Sequence, residues 1–217
     1  MVTADNLDVA RFADAILLGV KPAIVLPVVR EMAAALEGKL VISLAAGVRL
    51  ESMEAVASAR FMRVMTNTPS AICRGASAIA PGVRTTMEDL TAAEEVFNAV
   101  GIVVQIEEPH IDAVTALAGS GPAFVYSVIE ALAQGAEERE LPAAAAIRLA
   151  TQTALGAAQL ASETGKSPEE LRRMVVTPGG TTAAGLAAME KMNGSRAIAA
   201  AVEAATDRGR EMAQEFS

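Results

Sequence analysis

The stretch Val175-Val176-Thr177-Pro178-Gly179-Gly180-Thr181-Thr182-Ala183-Ala184-Gly185-Leu186 joins a proline-glycine turn to an alanine-rich segment. Proline is excluded from a helix interior and the two glycines free the backbone, so a helix is predicted to begin near Thr181 or Thr182. Its first amides have no partners within the helix and favour a carboxylate or a phosphate, beside the hydroxyls of Thr177 and Thr182. The same pattern also serves as an ordinary capped helix, and the residues by themselves leave both interpretations open.

The rest of the second half of the chain is predicted to be helical. Apolar spacing predicts helices at 111–138, 143–163, 181–191 and 195–214, and Ser167 with Pro168 starts another as N-cap and first residue. Gly119-Ser120-Gly121-Pro122 interrupts the first helix, because Pro122 lacks a backbone donor and the glycines permit a bend. Residues 114–132 are apolar on more than one face, which implies that a partner subunit covers them.

The first half alternates short β-rich runs with helical ones, the pattern of a parallel sheet covered by helices. In such a sheet ligands bind outside the carboxyl ends of the strands, so the loops after the first three strands are expected to share one crevice. The predicted strands are 15–20, 40–44, 61–66, 77–80 and 102–106, and the predicted helices are 23–36, 50–57 and 87–100.

Composition narrows the class of protein. The 217 residues are enough for one or two domains, and a content of 52% hydrophobic but 3% aromatic residues predicts an aliphatic core. The net charge of −8 argues against binding to nucleic acid. No apolar run approaches the roughly 18 residues of a membrane span, so no membrane segment is expected. The start Met1-Val2-Thr3-Ala4-Asp5 has no basic region typical of a secretory signal, and we expect a cytoplasmic protein.

Metal and general-base chemistry are not indicated. One histidine and one cysteine cannot supply a ligand set, so no metal is expected. His110 has no carboxylate or cysteine placed by the sequence to form a catalytic dyad. Cys73 is interpreted as a packing or idle thiol rather than a reactive one.

Three segments in order resemble the pyrroline-5-carboxylate reductase family. They are the 175–186 stretch, the run Ile111-Asp112-Ala113-Val114-Thr115-Ala116-Leu117-Ala118-Gly119-Ser120-Gly121-Pro122-Ala123-Phe124, and Arg63-Val64-Met65-Thr66-Asn67-Thr68-Pro69. The resemblance implies an α/β then all-α protein, with part of a Rossmann-type parallel-sheet domain at 1–108 and a helical dimerisation and substrate-binding domain at 109–217. It further implies a homodimer or a larger oligomer of dimers that reduces 1-pyrroline-5-carboxylate, a small cyclic imino acid, to L-proline with NADPH or NADH.

The resemblance also implies roles for single residues at the substrate. Thr182 is expected to hydrogen-bond the imine nitrogen, while the Gly180 and Thr181 amides and the Thr177 hydroxyl hold the carboxylate. This agrees with the physics of a hydride transfer to C=N, which leaves charge on nitrogen and profits from a fixed donor. Ser120 is expected nearby, with packing as an equal alternative, and Glu108 near the ring nitrogen, with a solvated surface carboxylate as its alternative.

For the cofactor, the resemblance points to residues that follow the strand ends. Lys21 is the one charged member, and a solvated lysine is its alternative; Asn67 with Thr68 is also a common turn device. The full set is Asn6, Gly19, Val20, Lys21, Pro22, Leu44, Ala45, Ala46 and Asn67.

One part of the family pattern is not found in this sequence. Members open with a strand, a G-x-G-x-x-[GA] turn and a helix that cradle the pyrophosphate, whereas the loop Ala45-Ala46-Gly47-Val48 has a single glycine. We therefore expect this polypeptide by itself to bind the cofactor poorly. The alternatives are a catalytically inactive dimerisation partner or regulatory fragment of the same family, and an enzyme acting on a related imine or hydroxy acid.

Overall fold

The computed structural model describes residues 2–215, and in this part of the chain five strands form one sheet. The strands lie in the order β1 (Ala15–Leu18), β2 (Leu40–Ser43), β3 (Arg60–Met65), β4 (Gly75–Pro81) and β5 (Gly101–Gln105). The α-helices are α1 (Asn6–Phe12), α2 (Pro22–Met32), α3 (Leu50–Val56), α4 (Met87–Asn98), α5 (Ile111–Val114), α6 (Gly121–Glu137), α7 (Ala143–Thr164), α8 (Pro168–Val175), α9 (Thr181–Lys191) and α10 (Gly194–Glu215).

The predicted α/β arrangement followed by helices is confirmed, with one difference in the sheet. Strands β1, β2 and β3 run parallel, as do β4 and β5, but β3 and β4 are antiparallel. The connection from Met65 to Gly75 holds only a short 3₁₀ helix, Thr68–Ile72. A parallel crossover needs about a dozen residues or more, so this connection returns the chain in the opposite direction.

Apolar side chains cover both faces of the sheet. Successive residues of β3 point to opposite faces, so Phe61 packs with Val25 and Val29 of α2, whereas Met62 packs with Leu90 and Phe97 of α4. Burial on both faces is typical of parallel sheets flanked by helices. The core is mainly aliphatic, as the composition predicts, and Phe61 and Phe97 are its aromatic members.

Helix α1 was missed in the sequence because its seven residues show little apolar periodicity. Asp5 caps it, with Oδ1 accepting the amide of Leu7 at 2.8 Å. Lys39 stabilises the other end, because its Nζ donates to the carbonyls of Ala10 at 2.5 Å and Ala13 at 2.7 Å. A cation at a helix C-terminus also interacts favourably with the helix dipole.

The chain divides into two compact units. One consists of residues up to 122 together with those from 202 onward, and the other of residues 123–201. This division by packing does not test the predicted domain boundary at residue 108, which stays a prediction.

The helical 123–201 unit buries few of its large apolar side chains. Its core cluster is built from Ala133, Ala146 and Ala150. Many larger apolar side chains of this unit remain exposed: Val125, Tyr126, Val128, Leu132, Ile147, Leu149, Leu155, Leu160, Met174, Val175, Met189, Met192 and Ile198.

The expectation that the chain has no membrane segment stays a prediction, because one helical stretch of the described residues has the length and composition of a span. The helical stretch Glu108–Glu137 is long and apolar enough to cross a membrane by length and hydropathy. The sequence argument counted uninterrupted apolar residues, whereas an 18-residue window inside this stretch passes on its average hydropathy, because it is rich in alanine and holds few charges. A helix that packs against protein passes the same test.

A partly buried ion pair between Arg60 and Asp89 fixes α4 against the sheet. Asp89 accepts from Arg60 Nε at 2.7 Å and Nη2 at 3.0 Å, and it also forms a capping box with Thr86. Burial by itself would raise the pKa of Asp89, but the hydrogen bonds from Arg60 and Thr86 hold that pKa below its ordinary value. The carboxylate is therefore the form that stabilises the fold.

Replacing Asp89 with asparagine is expected to lower the free energy of unfolding by about 1–3 kcal/mol at pH 7, through loss of the charged bonds and the cap. A lowered folded-state pKa contributes stability above the unfolded value, about pH 4, which is lost as the pH falls through the folded pKa. Urea unfolding at pH 7 and pH 3 measures this, and the difference between the two proteins should shrink at pH 3. Asp207→Asn, at an exposed pair with Arg210, is the control; an equal loss in both variants would contradict the assignment.

Candidate active site

The 177–182 turn has the backbone that its glycines predict. Gly179 has a φ of 73°, in the left-handed region that favours glycine, and the Gly180 amide donates to the Thr177 carbonyl at 3.0 Å. Gly180 is the N-cap of α9, and Thr181 is its first residue. The predicted helix start is confirmed.

Three consecutive amides at the start of α9 have no acceptor among the described residues. The first amide of the helix to find a partner is that of Ala184, which donates to the Gly180 carbonyl at 3.2 Å. The amides of Thr181, Thr182 and Ala183 precede it, and the first turn carries no acidic residue. This end of the helix is thus open to an anion.

The hydroxyls of Thr177 and Thr182 lack the intrahelical partner that several helical threonines have. The hydroxyls of Thr115, Thr151 and Thr164 each donate to the carbonyl four residues earlier. Those of Thr177 and Thr182 form no hydrogen bond with any described residue. Thr182 is half-buried and Thr177 is exposed, so both hydroxyls remain available to a ligand.

The Gly180 amide has a partner inside the turn, the Thr177 carbonyl. Its expected role at the carboxylate stays a prediction. The position matters for another reason, because a Cβ at residue 180 would collide with the Thr177 hydroxyl and lie 3.1 Å from the Thr177 carbonyl oxygen. Glycine here allows the turn to close.

In the other unit, three predicted cofactor loops lie at one edge of the sheet. Leu18 of β1 pairs with Ser43 of β2, and Ser43 pairs with Arg63 of β3, so the three parallel strands end side by side. The amide of Leu44 donates to the Leu18 carbonyl at 3.1 Å. The loops 19–22, 44–47 and 66–67 therefore share the edge at which nucleotides bind in open α/β sheets.

The individual residues of these loops differ in how free they are. The Lys21 side chain is exposed and forms no hydrogen bond with a described residue, and a Cβ on Gly19 would meet only open space. Asn6 lies on α1, where its side-chain amide donates to Glu31 at 2.9 Å. The cofactor roles of Val20, Pro22, Leu44, Ala45 and Ala46 stay predictions, as do those of Asn6, Gly19 and Lys21.

Glu108 has partners that its sequence position did not reveal. Its Oε1 accepts from the Leu50 amide at 2.6 Å and from Arg63 Nη1 at 3.1 Å. The Arg63 side chain is 4% exposed, so this carboxylate compensates a buried charge and ties β3 to the start of α3. Its role at the substrate stays a prediction. A charged residue inside an apolar strand, as Arg63 is in β3, was the sequence signal that could have indicated a buried ion pair.

Ser120 follows a π-helical turn, Thr115–Gly119, that the sequence did not predict. Its amide donates to the Thr115 carbonyl at 2.9 Å, and its hydroxyl has no partner among the described residues. Insertions of this kind are frequent at functional sites. No group of three or more His, Cys, Asp and Glu side chains in residues 2–215 is arranged to hold a metal ion.

The chain matches two family models and several curated relatives. Residues 108–212 match the model for pyrroline-5-carboxylate reductase dimerisation, and residues 1–47 match that for NADP oxidoreductase, coenzyme F420-dependent. A pyrroline-5-carboxylate reductase of Methanosarcina acetivorans is 44% identical over 97% of this chain and 79% of its own length. The reductase of Glycine max is 42% identical over 97% of this chain and 78% of its own length.

Solved structures agree with these matches. A pyrroline-5-carboxylate reductase from Coxiella burnetii superposes with a TM-score of 0.92 at 37% identity, covering 97% of this chain and 80% of that chain. The Plasmodium falciparum enzyme, crystallised with NADP bound, superposes with a TM-score of 0.89 at 31% identity, covering 97% and 81%.

These findings define a class of protein, the nicotinamide-dependent oxidoreductases of the Rossmann type. The chain has a sheet with adjoining loops at its carboxyl edge, and a helical region that matches a dimerisation model follows it. The particular family follows from identity and coverage together. The chain belongs to the pyrroline-5-carboxylate reductase family, the NAD(P)H-dependent oxidoreductases of proline biosynthesis.

Proposed function

We propose that the 177–182 turn is where this chain binds 1-pyrroline-5-carboxylate, which it reduces to L-proline with NAD(P)H. The observation that carries the proposal is the set of unpartnered donors at the start of α9. The amides of Thr181, Thr182 and Ala183 and the hydroxyls of Thr177 and Thr182 have no acceptor among the described residues. A small carboxylate that also carries a ring nitrogen uses both kinds of donor.

The amides are proposed to hold the carboxylate. Backbone donors at a helix N-terminus fix an anion, and the helix dipole adds to the attraction. Because Gly180 uses its own N–H within the turn, the Thr181 amide and its two successors take the role first expected for Gly180 and Thr181. The exposed Thr177 hydroxyl adds a fourth donor.

Thr182 is proposed to bond the imine nitrogen. The nicotinamide cofactor would supply the hydride when bound; addition to a neutral C=N bond leaves negative charge on nitrogen, which the Thr182 hydroxyl can stabilise by donating a hydrogen bond. No strong general acid is needed if the imine binds protonated. Most of the acceleration then comes from the orientation that the turn imposes on the substrate.

The loops 19–22, 44–47 and 66–67 are proposed to hold the nicotinamide half of the cofactor, within a cofactor-binding part that ends near residue 108. Their residues fit this group, since they lie side by side at the carboxyl edge of the sheet and Lys21 offers a cation that has no ion-pair partner among the described residues. An unpaired lysine near a phosphate-bearing ligand contributes favourable charge. The preference between NADPH and NADH is an outcome of the binding experiment.

A second copy of the chain is proposed to cover the helical 123–201 unit, giving a homodimer. This unit exposes large apolar side chains along α6 and α7 around a core made mainly of alanine. Surfaces of this kind mark protein interfaces. Burial against a partner also accounts for the apolar composition of the stretch Glu108–Glu137 without a membrane.

With this biosynthetic role and a net charge of −8, we infer a cytoplasmic protein that does not bind nucleic acid.

Leu132→Asp is expected to convert the dimer largely to monomer, because the side chain is 50% exposed on α6 beside Val125 and Val128. Burying an unpaired carboxylate in an interface costs several kcal/mol, or about a hundredfold or more in the dimer dissociation constant. Light scattering after size-exclusion chromatography measures the mass. Val83→Asp, at a residue 87% exposed in the other unit, is the control; a dimer that survives Leu132→Asp unchanged would contradict this interface.

The proposed function is tested with the purified 217-residue chain. NADPH consumption in the presence of 1-pyrroline-5-carboxylate measures the reaction, and calorimetric titration with NADPH and NADH measures cofactor affinity. Turnover that depends on the imino acid supports the proposal. The alternative, a catalytically inactive dimerisation partner, would be favoured by a folded dimer that shows no turnover. This holds whether that dimer binds NADPH tightly or binds no cofactor. A panel of cyclic imino acids and hydroxy acids separates the related substrates.

A further inference from the structure

The carbonyl of Ala118 lacks the donor that a helix normally provides. In an α-helix the carbonyl of one residue accepts the amide four residues later. Four residues after Ala118 stands Pro122, which has no N–H. The helix is also interrupted here by the π turn, in which the Ser120 amide reaches back to Thr115. The Ala118 carbonyl therefore depends on a donor from elsewhere.

Asn67 supplies that donor from the end of β3. Its Nδ2 donates to the Ala118 carbonyl at 3.1 Å, and its Oδ1 accepts the Ala76 amide at 3.0 Å. The two contacts fix the orientation of the side-chain amide, since a flipped amide would face a carbonyl with its oxygen and an N–H with its nitrogen. Both ends of the half-buried side chain are thus engaged within the protein.

A second contact holds the π turn against the same strand end. A Cβ on Gly119 would lie 2.5 Å from Met65 Cε, the end of a flexible side chain, so the π turn packs closely against the side chain of Met65 in β3. Ser120 comes next in the chain, and its hydroxyl has no hydrogen-bond partner among the described residues. Asn67 therefore connects the carboxyl edge of the sheet, where the cofactor loops lie, to the segment that carries Ser120.

We propose that Asn67 is a positioning residue whose side-chain amide replaces the backbone donor missing at Pro122, and so fixes the Ala118–Gly121 segment against the cofactor edge of the sheet. The expected effect on turnover rests on the proposed function, whereas the hydrogen bond between Asn67 and Ala118 does not depend on that function. The proposal also changes the expected role of Asn67, from a ligand of the cofactor to a residue that acts through Ser120 and its neighbours.

Asn67→Asp tests the donor alone, because the carboxylate can still accept the Ala76 amide but presents an oxygen to the Ala118 carbonyl. Hydrogen exchange at residues 118–121 is expected to accelerate about three- to tenfold, since one hydrogen bond is lost. In steady-state kinetics kcat should fall and KM for the imino acid rise, each by up to about tenfold, while the Kd for NADPH stays within about twofold. Asn98→Ala, on the exposed end of α4, is the matched control.

A rescue makes the test specific. Pro122→Ala restores an N–H four residues after Ala118, so exchange at residues 118–121 in Asn67→Ala/Pro122→Ala is expected to return most of the way from the Asn67→Ala value. A general loss of packing would not be repaired by this change. The proposal would be overturned if hydrogen exchange at residues 118–121 were unaltered in Asn67→Asp, with or without a higher Kd for NADPH. It would also be overturned if Pro122→Ala did not slow this exchange in the Asn67→Ala background. An inactive wild-type chain would refute the proposed function, while the exchange data still decide the link between Asn67 and Ala118.

Discussion

Thr182→Ala is expected to lower kcat for 1-pyrroline-5-carboxylate reduction about a hundredfold with the fold intact. The variant removes a hydroxyl that is proposed to face the developing charge on nitrogen, and loss of one such donor costs about 10²–10³ in turnover. Folding should be little affected, because this hydroxyl forms no hydrogen bond with a described residue and is only half-buried. Steady-state kinetics with NADPH, alongside thermal unfolding, measure both effects.

Thr182→Ser is the matched control for that experiment. Serine keeps the hydroxyl at the second position of α9 and removes only a methyl group, so kcat should stay within about tenfold of the wild type. Wild-type turnover in Thr182→Ala would remove Thr182 from the site. Equal losses in the serine and alanine variants would show that the methyl group, and hence packing, accounts for the effect.

Gly180→Ala is expected to raise KM for the imino acid by about tenfold or more and to leave the Kd for NADPH unchanged. The φ of Gly180 is −80°, which any residue adopts, so the effect is steric rather than one of backbone strain. The added Cβ would collide with the Thr177 hydroxyl and lie 3.1 Å from the Thr177 carbonyl oxygen, so the Thr177 side chain must rotate away or the turn must open. Overpacking of this kind costs about 1–3 kcal/mol and displaces the amides of α9 from the carboxylate.

Gly185→Ala, one turn further along α9, is the matched control. A Cβ there meets nothing within 4 Å, and alanine is the better helix former. This variant should therefore bind the imino acid as the wild type does and be equally or more stable. A wild-type KM in Gly180→Ala would contradict the proposed position of the carboxylate, since the turn would then have no part in binding.

Local signals carried most of the secondary structure. Pro168 after Ser167 marked the start of α8, and Pro178 with the two glycines marked the start of α9, because caps and breakers act over a few residues. The strands β2 and β3 were recognisable as short apolar runs. Helix α1 was not, since a short polar helix depends on its caps and on Lys39, which is distant in sequence.

The contacts of the candidate site were less accessible to such reasoning. Asn67 was recognised as a polar residue after a strand, but its partner Ala118 lies 51 residues away. Glu108 was expected at a substrate or in solvent, yet it compensates the buried Arg63, 45 residues earlier. Gly180 was expected to donate to a ligand, and only the closed turn shows its amide in use.

The sequence by itself determined the order of the elements, the helix start at Thr181 and the family, because propensities, caps and motifs are properties of neighbouring residues. Tertiary structure decided the antiparallel pairing of β3 with β4, the π turn before Ser120 and the partners of Asn67 and Glu108. These features arise where groups distant in the chain must satisfy one another after leaving water. The Ala118 carbonyl, for which Pro122 provides no N–H, accepts its hydrogen bond from Asn67, a donor that only tertiary packing brings close.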